Sequence, residues 1–361
     1  MASEFLRRPP GKIAGLLPVL SIACAVEDVV PCTEIGSRTF ESLDELLATA
    51  DIACIQGDVR VDLLDADGTD RSVELHWSEV QGSVAFRGFA TSSQLRFPSL
   101  TSVSGHLSFQ DSPFQRLDLP LLVAVGGSLT LTSATELTSL RLPSLDEVDG
   151  NVSIQNCDAL TLVELGAERL FVGASLQFSE NESIEVIDLQ DLEIGGGVEI
   201  IQNARLASAI GPESANPLTL VEVRQNPELL EISGFGSESV TAISINLNPS
   251  LVEISAFADA TEIGALTLTY NSSFSRVTGF RRVGLLHFLF AIYNGEISSD
   301  EIIEALAGAT PSTMKVGGNR GDTVPYTGDC PWSGDGICDE AETREVYGTG
   351  LCARDPDCSR D

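Results

Sequence analysis

Basic side chains are scarce in this chain. Of its 361 residues, 21 are Lys or Arg and 53 are Asp or Glu, which leaves a formal net charge of −32. Only two of the basic residues are lysines, Lys12 and Lys315. Because a nucleic-acid backbone is bound by clustered Lys and Arg, we expect no nucleic-acid partner. A large net charge keeps a protein soluble and separate in solution, so we expect a monomer.

Long hydrophobic runs are also missing. The apolar stretch at 13–26 holds about fourteen residues, whereas a transmembrane helix needs roughly 20. It follows three basic residues, Arg7, Arg8 and Lys12, which is the order of a secretory signal peptide. We therefore predict a signal peptide over residues 1–25. The mature protein is then secreted or held at the outer surface of the cell envelope.

A lipid anchor is the alternative interpretation of the same stretch. Residues 20–24 are similar to a relaxed bacterial lipobox, in which Cys24 would become the lipidated first residue. Cleavage after the small residues at 23–25 would instead release a free chain that begins at Val26.

The middle of the chain is a repeat. Ten pairs of apolar residues, each separated by one residue, recur every 22 to 25 positions, a period typical of leucine-rich repeats. Since side chains two apart on a strand share a face, each pair predicts a short strand with both members facing inward. The pattern predicts a mainly β, right-handed solenoid with one parallel sheet, built from Val59/Val61, Val84/Phe86, Leu107/Phe109, Leu129/Leu131, Val152/Ile154, Leu176/Phe178, Val198/Ile200, Val221/Val223, Ile243/Ile245 and Leu266/Leu268.

A second column supports this register. Three residues after the later pairs stands an asparagine, at Asn181, Asn203, Asn226, Asn248 and Asn271. Ser112, Ala134 and Cys157 occupy the same position in earlier rows. An inward asparagine offers donors and an acceptor to the unpaired backbone groups of a turn, so we expect a ladder of asparagines along the solenoid.

A third column suggests a family. The rows at 97–100, 119–122 and 142–145 carry Pro in second position, and glycine follows at Gly105, Gly127 and Gly150. This unit resembles the receptor L domain, the leucine-rich β-solenoid of insulin- and EGF-receptor ectodomains, and also fungal cell-wall and bacterial surface proteins. The resemblance implies a receptor L-domain-like leucine-rich-repeat solenoid that acts at a cell surface.

The ends of the repeat need caps, because a solenoid leaves its terminal coils open. We assign residues 26–56 to an N-terminal cap, in which Cys32 and Cys54 form a disulfide. The solenoid and its C-terminal cap occupy 57–320. The cap is expected to hold a strand at 285–292 and a helix that begins after Ser298.

Residues 321–361 have a different composition and form a small Cys-rich, acidic module. Such a short polar segment needs staples, and four cysteines allow two disulfides in three pairings: Cys330, Cys338, Cys352 and Cys358. The segment resembles small calcium-binding modules of the Notch-repeat and LDL-receptor class A type. That resemblance implies one Ca²⁺ held by Asp335, Asp339, Asp355 and Asp357. A metal-free disulfide knot and a zinc site are the alternatives.

Catalytic patterns are absent from the sequence. The three histidines are far apart, and no nucleophile or metal motif surrounds them. The polar residues on the strands instead predict a flat face for a protein or glycan ligand: Arg87, Gln110, Gln155, Gln177, Glu199, Glu222 and Arg224. We expect a non-enzymatic recognition or adhesion protein. The alternatives are a polysaccharide-active lyase or hydrolase that uses Glu199 and Glu222, and a purely structural envelope protein.

Overall fold

The computed structural model describes residues 32–62, 73–88, 95–112, 114–166, 169–306 and 308–322. The predicted signal peptide, Cys24, and the cysteines and predicted calcium ligands of the C-terminal module lie outside these ranges. The described part is mainly β, with 4% helix and 42% strand, and forms a β-solenoid of about 12 turns of parallel strands. The predicted fold class is therefore confirmed, with more turns than the ten rows in the sequence indicated.

One long sheet carries the repeat. Its strands follow the chain in order, and each pairs in parallel with the next. Both members of every predicted apolar pair are buried. The 13 strands are Arg38–Phe40, Val59–Asp62, Val84–Arg87, Leu107–Gln110, Leu129–Thr132, Val152–Gln155, Leu176–Ser179, Val198–Ile201, Leu218–Arg224, Ser239–Asn246, Glu262–Thr269, Leu285–Ile292 and Thr313–Gly317.

Three smaller sheets close the sides of the coils. The second sheet consists of Thr33–Glu34, Cys54–Gln56, Glu79–Gln81, Ser102–Val103, Ala124–Val125, Glu147–Val148, Leu170–Val172 and Leu192–Ile194. The third sheet consists of Val73–Glu74, Leu95–Arg96, Arg116–Asp118, Ser139–Leu142 and Leu162–Leu165. The fourth sheet consists of Val186–Asp188, Ser208–Ile210, Glu231–Ser233, Glu253–Ile254 and Arg276–Val277.

The predicted asparagine ladder is present and longer than predicted, because Asn294 and Asn319 extend it. All of its asparagines are buried. Each Nδ2 donates to the carbonyl of the second apolar residue in the preceding coil, as from Asn226 to Ile200 at 2.9 Å. Backbone N–H groups donate to the Oδ1 of the next asparagine, as from Asn203 to Asn226 at 2.9 Å. The ladder thereby satisfies backbone groups that water cannot reach.

A left-handed residue precedes each ladder position. Its φ lies between 49° and 57° at nine positions: Asp111, Ser133, Asn156, Glu180, Gln202, Gln225, Leu247, Tyr270 and Tyr293. Such a conformation is unfavourable for residues other than glycine. Where an asparagine follows, its buried ladder bonds offset this cost.

A second ladder holds the opposite corner of the earlier coils. There the residue directly before each apolar pair accepts the backbone N–H of its counterpart in the next coil. The chain of bonds runs from Ser83 N–H to Asp58 Oδ1 (2.8 Å), His106 N–H to Ser83 Oγ (3.2 Å), Ser128 N–H to His106 Nδ1 (2.9 Å), Asn151 N–H to Ser128 Oγ (3.1 Å), Ser175 N–H to Asn151 Oδ1 (2.9 Å) and Gly197 N–H to Ser175 Oγ (3.1 Å). We call this series the corner ladder. It ends where Gly197 has no side chain to continue it.

The first coil is closed by the predicted disulfide, since Cys32 and Cys54 are joined with a Cα–Cα distance of 4.5 Å. A short helix, Leu43–Leu47, lies inside the bridged segment. The indole of Trp77 is fully buried beneath it and donates to the carbonyl of Thr49 at 2.9 Å. The first strand of the long sheet, Arg38–Phe40, already belongs to this coil.

The last described coil contains the helix Ser299–Ala305, whose N-cap is the predicted Ser298, and the strand Thr313–Gly317 follows it. Ser298 and Glu301 form a capping box, and Arg320 contacts both carboxylate oxygens of Glu301. These hydrogen bonds hold the pKa of Glu301 below its usual value. The asparagine ladder ends here, because Asp322 Oδ2 accepts the N–H of Asn319 at 2.9 Å. Neither described helix has the length and apolar character that a membrane crossing requires.

Candidate functional site

The seven predicted ligand-face residues all lie on the long sheet, in two columns. Gln177, Glu199 and Glu222 stand between the two members of an apolar pair and are register partners on neighbouring strands. The other four directly follow a pair: Arg87, Gln110, Gln155 and Arg224. Because the apolar pairs point inward, the intervening column points away from the core.

Three of the seven meet in one shallow groove of about 340 Å³, which we call the polar groove. Gln155 Nε2 donates to Gln177 Oε1 at 2.5 Å, and Ser153 Oγ donates to the same oxygen at 3.3 Å. Hydroxyl and amide groups therefore dominate the lining. The lining residues are Ser128, Thr130, Asn151, Val152, Ser153, Gln155, Ser175, Gln177 and Glu199.

Glu222 and Arg224 continue this surface beyond Glu199. Glu199 and Glu222 face each other across neighbouring strands, and Arg224 Nε lies 3.2 Å from Glu222 Oε1. Burial raises the pKa of Glu222, the Arg224 charge opposes this rise, and the Glu199 carboxylate adds to it. The carboxyl group of Glu222 is therefore easier to protonate than that of an ordinary glutamate.

Arg87 and Gln110 do not join the groove. The strand Leu129–Thr132 separates them from Gln155 in the sheet order. The guanidinium of Arg87 forms an ion pair with Asp111 at 3.5 Å, in which both side chains are substantially exposed. These two residues share the face with the polar groove but not its lining.

The corner ladder supplies lining residues that sequence reasoning missed. Ser128, Asn151 and Ser175 each hold a coil corner and also line the polar groove. Their signal was present in the sequence, because each directly precedes an apolar pair and carries a side-chain acceptor. A ligand in the polar groove would therefore contact side chains whose hydrogen bonds also hold the coil corners.

A second groove, of about 530 Å³, lies on the third sheet and was not predicted. We call it the arginine groove. Three of its lining side chains are arginines and two carry carboxylates: Asp118, on the same strand as Arg116, and Glu164, on the strand that neighbours that of Arg141. The lining is Leu95, Arg96, Arg116, Leu117, Asp118, Thr138, Ser139, Arg141, Thr161, Leu162 and Glu164.

A metal site is not formed by the part of the chain that the structure describes, since no three His, Cys, Asp or Glu side chains cluster there in a way that could hold an ion. The predicted calcium ligands Asp335, Asp339, Asp355 and Asp357 lie outside that part. The one free cysteine among the described residues, Cys157, is buried beside the asparagine ladder. Burial raises the pKa of its thiol to about 11, which suits a structural rather than a reactive cysteine.

The geometry defines a class of molecule, a parallel β-solenoid with open grooves on different faces. In the comparisons with known proteins, no protein-family model, no curated protein and no solved structure matches the chain.

Proposed function

We propose that this protein is a non-enzymatic recognition or adhesion protein that binds a protein or glycan ligand through the face of its long sheet. The observation that carries the proposal is the polar groove, a shallow surface of amides and hydroxyls on a rigid stack of strands. Such a face offers many hydrogen bonds over a wide area, which suits an extended ligand better than a small molecule.

The finer class we propose is a receptor L-domain-like leucine-rich repeat. The 22-to-25-residue period, the Leu-Pro rows and the buried asparagine column support this assignment. Each is a feature of how coils turn and stack, and together they favour this family among β-solenoids.

We place the protein outside the cytoplasm, as a secreted or cell-envelope monomer. The disulfide between Cys32 and Cys54 supports this location, because disulfides persist in oxidising compartments. The signal peptide over 1–25, a lipid anchor at Cys24 and a calcium ion in the C-terminal module belong to the same proposal. Two disulfides among Cys330, Cys338, Cys352 and Cys358 would complete that module.

The test is binding of the purified chain to envelope polysaccharides and envelope proteins immobilised in parallel. We expect the double variant Gln155→Ala/Gln177→Ala to lose binding by about tenfold, as expected for two hydrogen bonds of about 0.5–1.5 kcal/mol each. The matched control is Gln190→Ala, which removes an exposed glutamine after the fourth-sheet strand Val186–Asp188. Equal binding by the double variant and the control would contradict the long-sheet face as the site.

A polysaccharide-active enzyme is the second candidate, and the Glu199–Glu222 pair favours it. A carboxyl group with a raised pKa beside a second carboxyl group is the arrangement that glycosidases use. Turnover of a polysaccharide that disappears in both Glu199→Gln and Glu222→Gln would establish the enzyme. Binding without turnover supports recognition, and the absence of both would favour a purely structural envelope protein.

A further inference from the structure

The outward side of the long sheet changes character along the solenoid. From Arg60 to Gln177, every side chain that alternates outward with the buried apolar pairs is exposed or half-buried. Toward the C-terminal end, outward side chains become buried, although strand alternation points them away from the core. We call four of them the terminal patch: Asn246, Thr269, Phe290 and Ile292, whose exposed fractions are 1%, 0%, 3% and 1%.

Two strands with the same sequence differ in this burial. Residues 129–132 and residues 266–269 both read Leu-Thr-Leu-Thr. Thr132 is half-buried, whereas Thr269 is fully buried. Neighbours in a sheet flank an outward side chain on two sides and leave its tip open. Thr269 therefore lies under additional cover that Thr132 lacks.

The terminal patch can be buried without loss of hydrogen bonds. Thr269 Oγ1 donates to Asn246 Oδ1 at 2.8 Å, and Asn246 Nδ2 donates to Ser244 Oγ at 2.5 Å. Beside these residues the rings of Tyr270 and Tyr293 lie with their centroids 5.1 Å apart. Because the polar groups satisfy one another and the rest of the surface is apolar, an apolar contact suits it better than water does.

The described chain ends next to the terminal patch. The last strand of the long sheet, Thr313–Gly317, pairs with the strand that carries Ile292. Asn319 Nδ2 then donates to the carbonyl of Ala291 at 3.0 Å, and the described residues end three positions later, at Asp322. Another 39 residues follow. An extended chain rises about 3.3 Å per residue and strands lie about 4.8 Å apart, so a few of these residues suffice to cross the patch.

We propose that the terminal patch is the docking surface for the C-terminal module of the same chain, residues 323–361. The other end of the described chain, Cys32, lies in the first coil, far from the patch in the order of strands. A segment as short as the module encloses little core of its own, and this one carries three aromatic residues, Tyr326, Trp332 and Tyr347. The patch offers such side chains a surface against which to be buried.

This docking depends neither on the ligand proposed for the polar groove nor on calcium binding by the module. Its consequence for the long-sheet face is a limit, because a docked module would leave only the earlier coils open to a ligand.

The experiment uses the full chain with a site for a sequence-specific protease inserted after Asp322. The chain is folded first and cut afterwards, and gel filtration then shows whether the 323–361 fragment stays on the solenoid. Among the described residues no cysteine is available to hold the fragment covalently, because Cys32 and Cys54 are joined and Cys157 is buried. We expect the wild-type fragment to co-elute with the solenoid.

Thr269→Arg places a charge in the terminal patch and should release the fragment. Thr132→Arg is the matched control and should retain it, because Thr132 ends the identical strand outside the patch. Hydroxyl-radical footprinting of the same samples should show oxidation of Phe290 rising about tenfold on release, the order of the ratio between the 38% exposure of Phe171 and the 3% exposure of Phe290. Phe97, in the core, should stay protected in every sample, which shows that the solenoid remains folded.

Ile292→Ser is the second variant, for use if Phe97 becomes reactive in Thr269→Arg. It removes apolar contact without adding charge and should lower the retained fraction of the fragment. The proposal is overturned if the fragment separates from the wild-type solenoid while Phe290 stays protected, since other residues would then cover the patch. It is also overturned if Thr269→Arg and Thr132→Arg release the fragment equally. Protection of Phe290 that falls on dilution of the uncut chain would assign the cover to a second copy and overturn it as well.

Discussion

The coils between residues 84 and 194 and those between 198 and 292 stack similar apolar pairs but hold their corners differently. In the earlier coils the second sheet and the long sheet have separate strands, and the corner ladder and glycines join them. In the later coils this corner is straightened into single long strands such as Ser239–Asn246. The buried asparagine ladder stabilises the other corner of the later coils.

The two ladders differ in how far water can reach their hydrogen bonds. The asparagine ladder is buried, so each backbone N–H that donates to it depends on an asparagine side chain for its acceptor. Most corner-ladder residues lie in exposed or half-exposed positions, where water can replace a lost bond. The two ladders overlap between Cys157 and Gly197, and the polar groove ends two residues after this overlap, at Glu199.

Removal of one asparagine should produce the largest effect. Asn226→Ala leaves the N–H of Asn203 buried without a partner and removes a side-chain bond to the carbonyl of Ile200, which we expect to cost about 2–4 kcal/mol of unfolding free energy. The matched change in the earlier coils is Ser112→Ala, whose hydroxyl donates one bond to the carbonyl of Gln110. We expect that change to cost about 1 kcal/mol.

Denaturant unfolding of both variants measures this difference. Equal losses for Asn226→Ala and Ser112→Ala would mean that the ladder bonds add nothing beyond an ordinary hydrogen bond.

A methyl group at a glycine corner should have the next largest effect. A Cβ at Gly126 would overlap the carbonyl oxygen of Ser104 in the preceding coil, so Gly126→Ala should cost about 1–3 kcal/mol. At Gly284, directly before the long strand Leu285–Ile292, the nearest atom to an added Cβ would be 3.9 Å away. Gly284→Ala should therefore leave the thermal midpoint almost unchanged. A midpoint lowered equally by both substitutions would contradict the steric cause assigned to Gly126.

A single bond of the corner ladder should matter less. Ser128→Ala removes the acceptor of the Asn151 N–H, which we expect to cost about 0.5–1.5 kcal/mol because water can replace it. Ser128→Asn keeps an acceptor at this position, as Asn151 does one coil later, and should restore most of the loss. Thermal unfolding of the two variants tests this. A larger loss for Ser128→Asn than for Ser128→Ala would show that the corner does not accept a longer side chain.

The smallest expected effect is the pH dependence of the unfolding free energy that Glu222 causes. Glu222 lies in Leu218–Arg224, the first long strand after the corner ladder. Because its folded-state pKa is raised, the folded state binds this proton before the unfolded state does. The unfolding free energy should therefore rise as pH falls from the raised pKa to the ordinary glutamate value. Glu199→Gln removes a charge that raises the pKa, so a carboxyl-detected NMR titration of Glu222 should move to lower pH. An upward movement would contradict the assigned cause.

Much of the fold was predictable because the apolar pairs have a constant period. The repeat was harder to follow beyond Leu268. In the next coil Ala291 stands where earlier coils have a large second member of the apolar pair, three residues before Asn294. The positive φ of Leu247 and Tyr270 could not be inferred, because leucine and tyrosine have no preference for the left-handed region. The buried hydrogen bonds of the asparagine that follows each of them offset the cost of this conformation.

The candidate site was predictable in part. Gln155, Gln177 and Glu199 were recognised because a strand's alternation fixes which side chains face outward. The arginine groove was missed because its strands are short and lie at varying distances from the apolar pairs. Its charges, such as Arg96 and Asp118, become neighbours only when the coils stack.

Native-state hydrogen exchange on the wild-type chain and Asn226→Ala tests the central claim, that buried asparagines hold the later coils. Since coils contact only their neighbours, we predict faster exchange at the amide of Asn203, which donates to Asn226, and at amides of the adjoining coils. Amides of Leu107–Gln110 and Leu129–Thr132 should exchange as in the wild type. Unchanged protection at Asn203, or equal loss of protection in those earlier strands, would contradict the account.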